Sequence, residues 1–188
     1  MMNHAATLAV LGRMPDAAAE NRAMSEIAVE LYGLDQTFRH ATRALRVLLH
    51  IDDGRWPGVL ARALIDCSTD PRRVDAAAKS ALHEAALSHA KIVRLARFGP
   101  DHVASARSLA EEVAAAHAQP VGILAAFSRV LDHFTHLIMI DDRMSDRLVR
   151  RDAQRSLGTW LMLDAGLVTH FATRSRSQPS EPRLTGSD

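Results

Sequence analysis

Glycine and proline punctuate this chain sparsely, and the apolar-rich stretches between them are of helical length. The pattern predicts a helix near 16–31 and another over 35–50 ("DQTFRHATRALRVLLH"). "DDGRWPG" breaks the chain, and a short helix follows at 56–66, ending in "DCSTDP". Asp70 before Pro71 is a helix-start signal, because proline is tolerated in a first turn. It predicts a long helix over 71–97, stopped by "RFGPD". The next helix runs from Pro100 to about His117 and ends at "QPVG". Two long helices follow, at 121–148 and 152–174. No period-two alternation of useful length appears, and no internal repeat. The expected fold class is all-α.

"LDHFTHLIMI" (131–140) and "LMLDAGLVTHF" (161–171) carry enough apolar side chains for burial on more than one face. They predict a central core pair or a dimer seam. The charged stretch "DDRMSDRLVRRDAQR" (141–155) reads as a solvated connection. The tail 175–188 is polar and proline-containing, and is expected to be disordered.

Composition narrows the class. Alanine, leucine and arginine dominate and aromatics are 4%, which favours helix residue by residue. A net charge of +1 gives no global pull toward nucleic acid or anionic membrane. Cys67 is the single cysteine, so neither an internal disulfide nor a cysteine-based zinc site is available. The N-terminus lacks an export signal, and no stretch reads as a membrane span. A cytoplasmic protein with no nucleic-acid or membrane partner is expected. No triad, glycine-rich phosphate loop or carboxylate pair points to an enzyme.

Ten histidines invite a metal reading. His4, His40, His50 and His170 have no partner pattern. His133, His136 and Asp141 lie on one predicted helix, and His136 with Asp141 five positions later resembles the final ligand pair of hemerythrin-like di-iron bundles, with His83, Glu84 and His89 as further donors. The stretch "SHAKIVRLARFGPDHVASARSLAEEV" (88–113) is similar to histidine-phosphotransfer domains, with His89 as phosphoacceptor, but Ile92 and Val93 stand where that family has lysine and glycine. His89 and His117 form a third arrangement. They lie on consecutive helices joined by "RFGP", and Ala114, Ala115 and Ala116 would let a large planar ligand approach His117.

Four stretches together resemble the sensor globins of the globin-coupled sensor and protoglobin-like family. "LRVLLHIDDGRWPGVLARALIDCSTDP" resembles the first globin helices, and "LARFGPDHVASARSLAEEVAAAHAQPVG" the segment from distal to proximal helix. "ILAAFSRVLDHFTHLI" resembles the following long helix. "SLGTWLMLDAGLVTHFATRS" resembles the last, through Leu163, Asp164, Leu167 and Val168.

The resemblance implies a globin-like domain over 43–174 behind an N-terminal helical extension at 1–42. It places His117 as the proximal ligand of a heme iron. His89, Leu64, Ile65 and Phe127 fall in the distal pocket, with Leu64 or Ile65 where many members have an oxygen-binding tyrosine. The implied function is an oxygen or other diatomic gas sensor. It would be a homodimer through its two C-terminal helices, signalling to a separate partner. The alternatives are a heme-free regulatory interaction module of the same fold and the phosphotransfer protein using His89.

Overall fold

The structure is a computed structural model that describes residues 16–32, 36–72, 74–95 and 98–177; for 31, 32 and 36–42 it describes the backbone alone. The described residues form seven α-helices and no strand, an all-α fold. They are α1 (Ala17–Tyr32), α2 (Gln36–Ile51), α3 (Trp56–Asp66), α4 (Ala76–Val93), α5 (Pro100–Ala115), α6 (Pro120–Ile140) and α7 (Arg147–Ser177).

Five of these helices close a ring. α3 packs on α4, α4 on α5, α5 on α7, α7 on α6, and α6 back on α3. α2 lies mainly on α7, and α1 mainly on α5. The ring buries an unbroken apolar core, and each ring helix contributes to its centre. Trp56 of α3 stands edge-on to Trp160 of α7 at 5.1 Å between ring centroids. Phe134 of α6 lies 5.8 Å from Trp160. His89 of α4 and His102 of α5 complete the cluster, with centroids 5.3 Å apart.

Local chemistry explains where the helices differ from expectation. α4 begins at Ala76 rather than at 71, because the Asp75 carboxylate accepts from the Ala78 N–H at 2.7 Å and caps the first turn. Asp70 instead closes a short turn by accepting from the Arg72 N–H. α6 stops at Ile140, because the extended Asp141 turns its carboxylate onto the Arg143 N–H and opens a 3₁₀ turn, Asp142–Met144. Asp146 then accepts from the N–H groups of Leu148 and Val149. The expected solvated connection is therefore largely the first turns of α7.

Helix α2 runs unbroken through the expected boundary at residue 42, and α7 continues through 175–177. The remainder of the expected disordered tail lies outside the described residues. α1 is tied down by buried Glu20, which accepts from Arg107 at 2.8 Å and from Arg174. Arg107 also lies 4.3 Å over the Phe171 ring.

One described helix, α6, is long and apolar enough to cross a membrane, contrary to the sequence reading. Ile123, Phe127, Val130, Phe134 and Ile138 of that helix are packed in the ring core. Near its start, Gly122 is required by close packing. A Cβ there would stand 2.5 Å from the Cys67 carbonyl oxygen.

Candidate metal centre

The centre of the ring holds a buried carboxylate. Asp164 lies in the middle of the most deeply packed part of α7, between Leu163 and Ala165, and has no exposure. A carboxylate so placed is costly unless it is paired and hydrogen-bonded. Three groups meet it. Oδ1 accepts from Nε2 of His102 at 2.6 Å, and Oδ2 faces Nε2 of His89 at 3.0 Å. The indole N–H of Trp160, one turn earlier on α7, also donates to Oδ2.

Each histidine is fixed by its own helix. His89 is near the end of α4 on the buried stripe Leu82, Ala86, His89, Val93. His102 lies in the first turn of α5, where Pro100 starts the helix, and its ring packs 5.0 Å from Phe98. Nδ1 of His89 is 2.8 Å from the Ser105 hydroxyl, which is itself 2.9 Å from the His102 carbonyl. Nδ1 of His102 is buried without a partner.

The hydroxyl hydrogen of Ser105 sets the proton count. If it bonds the His102 carbonyl, Nδ1 of His89 must donate to Ser105 while Nε2 donates to Asp164. His89 is then an imidazolium that neutralises the carboxylate. If the hydroxyl donates to His89 instead, Nδ1 of His89 is the acceptor and that imidazole is neutral. Burial by itself pushes the Asp164 carboxyl up, but His102 and His89, by charge and hydrogen bonding, hold it well below the ordinary carboxylate range.

The same three residues supply a metal-ligand set. One nitrogen of His89, one of His102 and a carboxylate oxygen of Asp164 all lie within 4.8 Å of one another. The set fits a cation on two grounds: two imidazoles with one carboxylate are a common transition-metal donor set, and Ser105 holds the far ring nitrogen of His89 while Trp160 bonds the Asp164 carboxylate. A groove of about 460 Å³ between α4 and α5 reaches His89 and Ser105 from outside.

The residues expected to bind heme are dispersed. His117 is exposed just past the end of α5, at φ 55°, in the left-handed region that commonly ends a helix. Its carbonyl accepts from the Thr69 hydroxyl at 2.9 Å. The groove at His117, about 480 Å³, is lined by Thr69, Asp75 and Gln119 among others and shares no residue with the groove at His89. Ser105 and Ala115 are ten positions apart on α5, a rise of roughly 15 Å, and His117 lies beyond that end. One iron cannot take axial imidazoles so far apart. Leu64 and Phe127 are buried core residues, and Ile65 is half-buried beside them.

His89 is also corrected as a phosphoacceptor. Both its ring nitrogens are engaged and the residue has no exposure, whereas phosphotransfer needs an accessible nitrogen. The di-iron set does not assemble either. His133 bonds Asp52 at 2.5 Å, His136 and His83 are exposed, and Asp141 caps the turn after α6. His4 and the His40 side chain lie outside the description.

His102 escaped the sequence reading, and Asp164 entered it only as part of a family pattern. The available signal was physical: a lone aspartate amid the apolar run "LMLDAGLV" must find buried donors. Comparison with protein-family models, curated proteins and solved structures finds no match for this chain.

Proposed function

We propose that this chain is a metal-binding helical module in which His89, His102 and Asp164 hold one divalent transition-metal ion. The observation that carries this reading is the approach of three ligand-type atoms, from three different helices, to within 4.8 Å at a site with almost no exposure. Such an ion takes the place of the protons between the imidazole nitrogens and the carboxylate. Zinc and iron(II) both suit two imidazoles and a carboxylate. Because the ligands come from α4, α5 and α7, occupancy ties together three helices of the ring. The role is therefore regulatory: metal availability sets how firmly the ring is closed.

Thermal unfolding of chelator-stripped protein tests this reading. Metal at a hundredfold excess over its dissociation constant should stabilise the fold by about 2.7 kcal/mol, and His102→Ala should abolish the effect. An unfolding curve that does not respond to zinc, iron(II) or cobalt(II) rejects the reading.

A second reading, self-association through α6, is favoured by one observation. Val121, Leu124, Met139 and Ile140 of that helix are more than half exposed, at 74%, 53%, 62% and 61%. A second copy of the chain is the occupant that agrees with the resemblance. Light scattering should give a dimer that Leu124→Glu with Met139→Glu converts to monomer; a monomeric parent chain excludes it.

A further inference from the structure

A second site lies on the outer face of α3, away from the buried triad. Arg55, Gly58, Val59, Arg62 and Ala63 line a groove of about 290 Å³ that Arg129 of α6 closes from the side. The spacing explains the arrangement: positions 55, 58, 59 and 62 share one face of a helix. None of the six lining residues carries a carboxylate. Arg129 is held by Asp66, with N and O 2.8 Å apart. Arg55 and Arg62 are exposed and have no acidic partner among the described residues.

Gly58 opens the floor between them. A Cβ there would meet only Cε1 of His83, at 3.8 Å. Three guanidiniums with one carboxylate partner leave two positive charges uncompensated at this groove. A doubly charged anion matches that count. Guanidinium forks bind phosphoryl oxygens in pairs, with geometry that an ammonium lacks. At ~30 Å³ per water, the groove has space for roughly ten waters. That is room for one or two phosphoryl groups rather than for a polymer.

We propose that this groove binds the phosphoryl end of a small phosphorylated molecule, with Arg55 and Arg62 as the principal contacts and Arg129 as the side wall. The site shares no residue with the metal centre.

Calorimetric titration of the full chain with inorganic pyrophosphate, at constant ionic strength, tests the assignment. Saturable one-to-one binding is expected in the parent chain and in Arg151→Ala, which removes an exposed arginine elsewhere. Arg55→Ala with Arg62→Ala should weaken it at least tenfold. Gly58→Leu, which fills the groove and keeps every charge, should weaken it comparably. Both arginines are exposed, so an unchanged circular dichroism spectrum is expected for the double variant. Absence of saturable binding in the parent overturns the proposal, as does equal affinity in the double variant or in Gly58→Leu. Tight binding of a single-stranded oligonucleotide that pyrophosphate does not displace would also overturn it, and would make the face a nucleic-acid surface instead.

Discussion

Nε2 of His102 lies 2.6 Å from Oδ1 of Asp164, and both side chains are sealed from solvent. Together with His89 on Oδ2, this contact makes Asp164 the shared partner of two imidazoles and the indole of Trp160. Asp164→Asn keeps the shape but loses the charge and turns an amide N–H₂ toward one of those donors. It should destabilise the fold by about 3–5 kcal/mol, the usual cost of breaking a buried charge pair. Urea unfolding at neutral pH, with chelator present, measures it. A loss under 1 kcal/mol would mean that the carboxylate is not the keystone of the ring centre.

His117 occupies a left-handed position that a β-carbon disfavours and glycine accepts. His117→Gly should therefore raise stability by about 1 kcal/mol and leave metal binding intact. A Soret band in hemin-loaded parent protein that this variant loses would restore His117 as an iron ligand.

Two glycines should respond oppositely to alanine. At Gly122 the new methyl group meets Cys67 backbone at 2.5 Å, which neither chain segment can easily yield. A loss of about 1–3 kcal/mol is expected. At Gly58, the nearest atom is 3.8 Å away and the residue is inside a helix. Gly58→Ala should gain about 0.5–1 kcal/mol. Thermal melts of the two variants check both signs.

His170, although exposed on α7, should give the fold a small pH dependence near neutrality. Partial desolvation of the ring first, then Arg174 and Arg107, hold its imidazole below the ordinary 6.5, against the opposing pull of Glu20. The unfolded chain thus binds the proton more readily than the folded one. Stability should fall as pH drops through about 6.5, and His170→Gln should flatten that part of the profile. Equal slopes in parent and variant would remove His170 from the account.

The helices of the all-α fold were legible because their signals are local. α3 and α5 are announced by proline in their first turns, and the turn before α3 by Asp53 and Gly54, both at positive φ. Boundaries failed where several aspartates competed as caps. Asp75 rather than Asp70 starts α4, and Asp141 and Asp146 divide what read as one connection. The candidate site was only partly legible. His89 stood out by its type, but its partners are 13 and 75 positions away in the chain, and helical periodicity cannot specify which stripes meet. His117 was conspicuous for the opposite reason: an isolated histidine after an alanine run marks a helix terminus.

Titration of the chelator-stripped chain with cobalt(II) tests the metal centre most directly. Visible ligand-field bands should saturate at one ion per chain, persist in His117→Gly and disappear in His102→Ala. A parent chain that develops no such bands, or bands unchanged in His102→Ala, would contradict a metal centre at His89, His102 and Asp164.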